Sequence, residues 1–154
     1  MKYLITGITG QDGLHLTGKI LSADNNDSVL GITRTLPNKS FFKNLEYLTP
    51  KADFNKVKLS SIDMLNSYEV EKIITDYRPD MIFNLSGPSS VYNSFTNPQN
   101  TLDSIYGIFN NLVNACVKNK NLCGFFQPSS SEMFKDSKGE RLTEESELEP
   151  LSPY

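Results

Sequence analysis

A short apolar run, Tyr3-Leu4-Ile5, leads directly into Thr6-Gly7-Ile8-Thr9-Gly10-Gln11-Asp12-Gly13, and a helical pattern begins before that loop has ended. Glycines at 7, 10 and 13 answer three needs: a tight turn out of a strand, close approach of the backbone to a pyrophosphate, and tight packing of the next helix on the strand. Phosphates would then lie on free N–H groups at the helix N-terminus, where the dipole favours negative charge. Ordinary loops reach this spacing by chance. A strand before it and a helix after it make the stretch Gly7, Ile8, Thr9, Gly10, Gln11, Asp12, Gly13 a candidate dinucleotide cradle.

The same alternation repeats along the chain. Short apolar or β-branched runs bounded by turn residues predict strands near 2–6, 28–33, 56–60, 80–86 and 123–128, and helical spacing predicts helices near 12–23, 66–77 and 99–119. The first helix turns Leu14, Leu16, Ile20 and Leu21 to the core and ends at Asp24-Asn25-Asn26-Asp27. The second carries Val70, Ile73, Ile74 and Tyr77 on one face, and Arg78-Pro79 stops it. The third aligns Ile105, Ile108, Phe109, Leu112 and Cys116 as a core stripe. Strands that alternate with helices imply a parallel sheet with right-handed crossovers, a doubly wound, Rossmann-like α/β fold. Residues 35–55 show no clear period and are the expected irregular excursion, with a short helix around 40–48.

Composition narrows the partners. The chain has 154 residues, enough for about one domain with a real core. With 15 Lys plus Arg against 18 Asp plus Glu, the net charge is -3 and no basic stripe argues for nucleic acid. No run is long and apolar enough to read as a membrane span or a cleavable signal, so a cytoplasmic protein is expected. Cys116 and Cys123 follow no metal spacing and read as buried thiols. His15 reads as helix surface, and the five glutamates between Glu140 and Glu149 as a solvated loop, not a metal site.

In a doubly wound sheet the ligand lies across the carboxyl ends of the strands. After the second strand comes Gly31-Ile32-Thr33-Arg34, with no acidic residue to hold a ribose 2′-OH. An arginine there can accept a 2′-phosphate, which favours NADP over NAD; the alternative is a solvated loop arginine. After the third strand, Asp63-Met64 is placed to accept from an adenine amino group. After the fourth, Asn84-Leu85-Ser86-Gly87-Pro88-Ser89-Ser90 offers small residues against which a nicotinamide-side ribose or pyrophosphate can lie. After the fifth comes Gln127-Pro128-Ser129-Ser130-Ser131-Glu132, and the chain closes on Ser152-Pro153-Tyr154.

Taken together, the Gly-Gln-Asp-Gly loop, the Gly-Ile-Thr-Arg and Asn-Leu-Ser-Gly-Pro-Ser-Ser-Val runs, the Ser-Ser-Ser-Glu segment and the closing Ser-Pro-Tyr resemble the GDP-mannose 4,6-dehydratases. These belong to the extended short-chain dehydrogenase/reductases, and the resemblance runs in order along the whole chain. It implies that Gly7 to Asp12, Asp63-Met64 and Leu85 to Ser89 are cofactor-binding stretches, completed by Gly13. It matches Ser130-Ser131-Glu132 to the family's Thr-Ser-Glu, and Tyr154 to the tyrosine of its Tyr-x-x-x-Lys pair. The reaction so implied oxidises the C4 hydroxyl of GDP-mannose, eliminates water across C5 and C6, and returns the hydride to C6. Tyr154 would be the base for oxidation, Ser130 would hold the same oxygen, and Glu132 would remove the C5 proton. Ser130 and Glu132, two apart at a strand end, would face one cleft; the alternatives are an N-cap cluster for Ser129 to Ser131, a helix-start carboxylate for Glu132 and a surface aromatic for Tyr154.

The chain also departs from the family pattern. Pro128 stands for a small alanine, Thr35 for a second arginine, and Phe134-Lys135 for Tyr-Gly. An Asn-x-x-Gly-Thr pattern is absent around Ile105 to Phe109, and the chain stops before the paired lysine. We therefore expect residues 1–154 to be an incomplete NAD(P)-binding domain, a truncated reading frame lacking the later strands and the sugar-binding region, from an enzyme that is homo-oligomeric at full length. Two other readings stay open at this point: another sugar-nucleotide epimerase or dehydratase, and a non-catalytic nucleotide-binding module.

Overall fold

The central strand, Lys2–Thr6 (β1), places Leu4 and Ile5 at 0% exposure on its opposite faces, a pattern that requires cover on both sides of the sheet. That cover comes from helices in a computed structural model that describes residues 1–23, 26–36, 39–134, 139 and 141–154. In chain order the further elements are α1 (Gln11–Leu21), β2 (Ser28–Thr33), α2 (Lys39–Leu48), β3 (Val57–Ser61), α3 (Ser67–Tyr77), β4 (Met81–Asn84), α4 (Val91–Thr96), α5 (Pro98–Leu102), α6 (Ile108–Lys118) and β5 (Gly124–Phe126). Every strand pairing is parallel and the order is β3-β2-β1-β4-β5. The doubly wound α/β class expected from the alternation is the fold observed.

Two apolar clusters hold the layers together. Leu4 packs with Val70 and Ile74 of α3 and Leu112 and Ala115 of α6 on one face. Ile5 and Ile8 pack with Phe41 and Leu45 of α2 on the other, edged by Leu14, Leu16 and Ile20 of α1. Each fully buried Leu or Ile contributes roughly 1.5–3 kcal/mol, so these residues dominate the stability of the sheet.

Local chemistry explains the element ends. Asn66 caps α3 by accepting from the N–H groups of Tyr68 and Glu69, and Arg78 stops it in the left-handed region (φ 49) ahead of Pro79. The Tyr77 hydroxyl at the end of α3 donates to the Ser28 carbonyl at 3.1 Å, pinning the helix to the start of β2. Asp27, 8% exposed, holds the N-terminal ammonium of Met1. The predicted helix stop at Asp24 and Asn25 lies outside the described residues.

The helix predicted over 99–119 is present from Pro98 to Lys118, with a wider π-type stretch over Asp103–Gly107 between α5 and α6; α4 precedes it, capped by Ser90. Asn97 caps α5 by accepting from Asn100 N–H, with Pro98 in its first turn. At Gly107 a Cβ would sit 2.9 Å from Leu65 Cδ2, so this turn lies hard against the loop after β3. Phe109 of the predicted stripe stays 36% exposed and meets Phe125 edge to face at 5.7 Å. Within the irregular 35–55 stretch, α2 forms where a short helix was anticipated; Pro37 and Asn38 lie outside the described residues. Cys116 and Cys123 are free, half-buried, and have their sulfurs 3.8 Å apart.

Candidate functional site

The strand order reverses between β1 and β4, and the glycine loop leaves β1 at that point. Gly7 takes φ +64, and a Cβ there would lie 2.6 Å from the Leu85 carbonyl oxygen. The loop and the stretch after β4 are thus in direct backbone contact, which brings two of the predicted cofactor segments together. Gly10 N–H donates to the Gly7 carbonyl at 2.9 Å and closes the turn. A Cβ on Gly13 would lie 2.6 Å from Ile8 Cα, so this glycine lets α1 press onto the loop. Gly10 is different: among the described residues a Cβ there meets only the Gly7 carbonyl, at 3.2 Å. It is less crowded than Gly7 and Gly13, and its bare backbone leaves the outer side of the loop open.

Gly10 is also the N-cap of α1, and it makes no side-chain cap. The first-turn N–H groups of a helix have no partner within the helix, so Gln11, Asp12 and Gly13 present donors and the positive dipole end to whatever lies above them. A pyrophosphate fits this cradle. Gly31 in β2 belongs to the same construction, because a Cβ there would collide with Ile8 Cδ1 and push the loop off the sheet.

Next to the cradle, a cavity of about 300 Å³ opens between Thr9 of the loop, Thr33 and Thr35 after β2, and Ser40 and Asn44 of α2, above Leu14 and Phe41. It is walled by hydroxyl and amide groups. Arg34 sits at its rim in sequence, exposed, and its carbonyl accepts from the Ser61 hydroxyl at 2.8 Å. Among the described residues no carboxylate pairs with its guanidinium. After β3, Asp63 is exposed and spends one carboxylate oxygen on Leu65 N–H at 3.0 Å. Met64 beside it is buried at 6% exposure, and its carbonyl accepts from Asn111 Nδ2.

The segment after β5 differs from the sequence expectation in a way that matters. β5 ends at Phe126, and Ser131–Met133 forms one turn of 3-10 helix capped by Ser130, whose Oγ accepts from Glu132 N–H at 3.1 Å. Strand alternation therefore does not relate Ser130 to Glu132; a capping hydrogen bond does. The Ser130 hydroxyl keeps its own hydrogen to donate, and the Glu132 carboxylate is exposed. Tyr154 is half-buried, and among the described residues no hydrogen bond joins it to either of them. Lys135 and Glu140 lie outside the described residues, while Glu144, Glu145, Glu147 and Glu149 are exposed, and His15 is exposed on α1. Among the described residues no three His, Cys, Asp or Glu side chains cluster as metal ligands, and no helix is long and apolar enough to cross a membrane.

Three further residues join the strand ends, and the motif reading did not single them out. Thr6 Oγ1 donates to Asn84 Oδ1 at 2.7 Å, Asn84 Nδ2 donates to Gln127 Oε1 at 2.6 Å, and Ser86 N–H donates to Thr6 Oγ1 at 3.1 Å. Thr6 and Asn84 are 0% and 1% exposed. The available signal was a polar residue following the apolar stretch of each strand, Thr6 after Leu4-Ile5 and Asn84 after Ile82-Phe83.

The family model for GDP-mannose 4,6 dehydratase matches residues 4–154. The GDP-mannose 4,6 dehydratase of Drosophila melanogaster is 35% identical over 157 aligned residues, covering 98% of this chain and 39% of that protein. Its Homo sapiens counterpart is 33% identical, with 98% and 41% covered. The chain thus spans about two-fifths of the length of these relatives. Among solved structures, the UDP-Glc/GlcNAc 4-epimerase of Campylobacter jejuni superposes with a TM-score of 0.84 at 19% identity, covering 99% of this chain and 44% of that one. A Thermus thermophilus UDP-glucose 4-epimerase in complex with NAD gives 0.76 at 23% identity, with 100% and 46% covered. At such identities the structural likeness establishes the fold.

Proposed function

Since the chain belongs to the GDP-mannose 4,6 dehydratase family, we propose that it forms the cofactor-binding part of a nucleotide-sugar dehydratase that converts GDP-mannose to its 4-keto-6-deoxy product with bound NADP. The observation that carries this reading is the family match from residue 4 to residue 154, a span that includes the glycine cradle, the strand-end loops and Tyr154. A nicotinamide cofactor, when bound, supplies the acceptor and donor of a hydride.

The chain's own residues divide the remaining work. The N–H groups at Gln11 to Gly13 hold the pyrophosphate, and the exposed guanidinium of Arg34 meets a 2′-phosphate beside the hydroxyl-walled cavity. The free oxygen of Asp63 accepts from an adenine amino group, and Leu85 to Ser89 lie along the nicotinamide half. Tyr154 takes the proton from the sugar C4 hydroxyl, with the Ser130 hydroxyl donating to the same oxygen. Glu132 takes the C5 proton once the neighbouring carbon is a ketone, and water leaves from C6.

The test is product analysis with a protein extended to the length of its relatives. GDP-mannose should give a 4-keto-6-deoxy sugar nucleotide without added oxidant. Epimerisation at C4 with no loss of water, or no reaction with any sugar nucleotide, would overturn the reading.

A further inference from the structure

We propose that Thr6, Asn84 and Gln127 are positioning residues: a one-way hydrogen-bond relay that sets the segment carrying Ser130 and Glu132 at a fixed place relative to the glycine cradle. The proposal rests on the cofactor reading above and adds to it how the two halves of the cleft are held in register.

The relay has two ends whose chemistry allows no ambiguity. At one end Ser86 N–H can only donate, and it donates to Thr6 Oγ1 at 3.1 Å. At the other end the Pro128 carbonyl can only accept, and it accepts from Gln127 Nε2 at 3.1 Å. The amide group of Gln127 must therefore turn its oxygen to Asn84, and Asn84 must turn its NH2 to Gln127, at 2.6 Å. That leaves Asn84 Oδ1 facing Thr6, whose hydroxyl hydrogen fills it at 2.7 Å. Every donor and acceptor in the line is assigned by its neighbours. Flipping the Gln127 amide would set like groups against each other at two contacts, and flipping Asn84 would set its oxygen against that of Gln127, with Asn84 buried where water cannot repair the loss.

The relay crosses three adjacent strands, β1, β4 and β5, at their carboxyl ends. Thr6 is bonded through the chain to Gly7, the residue whose turn starts the cradle, and Pro128 lies two residues ahead of Ser130. Ladder pairing between β4 and β5 stops at the Phe83 to Phe126 pair, and just beyond it this line of side chains joins the start of the Ser130 segment to the sheet centre. A displacement of about 1 Å at a reacting group is enough to lose roughly a hundredfold in rate, which makes such a tie consequential for a hydroxyl that must meet a sugar oxygen.

Backbone amide spectra of the ¹⁵N-labelled chain, recorded first without ligand, test the relay. Thr6→Val keeps the shape and removes the hydroxyl. It should move the amide signals of Ser129 to Glu132, two strands away, together with that of Ser86, and Thr6→Ser should return them to the wild-type positions. Signals of Ser129 to Glu132 that stay in place while Ser86 moves would overturn the proposal. Should Thr6→Val not fold, Gln127→Met at the exposed end gives the reciprocal reading: it should move Ser86 and Gly7, and unmoved signals there overturn the relay. NADP is then added. In Thr6→Val the NADP-induced shifts at Gly10 to Gly13 should persist while those at Ser129 to Ser131 shrink several-fold; equal persistence of both sets counts against a positioning role. Absence of NADP-induced shifts at the wild-type cradle would instead sink the cofactor reading and leave the relay to be judged on the ligand-free spectra.

Discussion

Gly7 and Leu85 meet through their backbones so closely that a single methyl group on residue 7 would lie 2.6 Å from the Leu85 carbonyl oxygen. Gly7→Ala should therefore destabilise the fold by about 1–3 kcal/mol from overpacking, with roughly 1–2 kcal/mol more for the left-handed backbone. Gly10→Ala meets only one atom, at 3.2 Å, and should leave the denaturation midpoint nearly unchanged while abolishing measurable cofactor binding. Urea unfolding and cofactor titration on the two variants check the contrast. Equal stability losses would show that the cradle glycines do not divide their work this way.

If the proposed reading holds, Arg34 sets the choice between NADP and NAD. A charge-assisted bond to a 2′-phosphate is worth about 1.5–3 kcal/mol, so Arg34→Ala should weaken NADP binding by about ten-fold or more and leave NAD binding unchanged. Calorimetry with both cofactors reads this directly, and equal wild-type affinities for the two would remove Arg34 from the discrimination.

Glu132→Gln keeps the capping N–H of residue 132 on Ser130 Oγ and removes only the carboxylate, the proposed base. In a protein extended to the length of its relatives, elimination should slow by roughly 10²–10⁴-fold, with cofactor affinity intact. Wild-type product formed in deuterated water should carry deuterium at C5, and the variant should incorporate far less. Near-normal product from the variant would return Glu132 to a surface role.

The Cys116 thiol is pushed up to about 12 from 9.0, first by burial and then by the adjacent Cys123 sulfur. Only the thiolate is nucleophilic, so alkylation of Cys116 in the folded chain should be very slow at neutral pH and accelerate as pH rises. The stability linked to this group is fully present below pH 9, its unfolded value, and is lost as pH climbs towards about 12. Alkylation followed by mass mapping, and unfolding curves across alkaline pH, check both halves. Rapid labelling of Cys116 at neutral pH would contradict the buried, protonated thiol.

Much of the fold was legible because its signals are local. Ser28–Thr33 was bounded correctly by an acidic turn on one side and Arg34 on the other, and Arg78-Pro79 stopped α3 where a left-handed residue and a proline must. The glycine cradle was legible for the same reason. The π-type widening inside the predicted 99–119 helix was not: it ends at Gly107, which lies against Leu65, a residue 42 positions away in the chain. Period alone cannot register such an approach. Glu132 was placed by strand alternation, yet the run of serines favoured a capped turn, since a serine hydroxyl competes for backbone N–H groups. The Thr6, Asn84 and Gln127 line was invisible for a third reason: its members are 78 and 43 residues apart and meet only once the sheet is assembled.

The strand order has a consequence in time. β1 precedes the other four strands along the chain and occupies the middle of the sheet, but its second neighbour is 78 residues downstream, as the Thr6 and Asn84 pairing shows. While the chain grows, β1, β2 and β3 with α1 and α2 can collapse into one half-sheet, leaving an apolar flank of β1 bare. Such a flank invites wrong partners, and non-local parallel pairing is slow to replace them. The cleft is therefore the last feature of the sheet centre to close: the cradle can bend early, but the wall it leans on at Leu85 does not exist until β4 arrives.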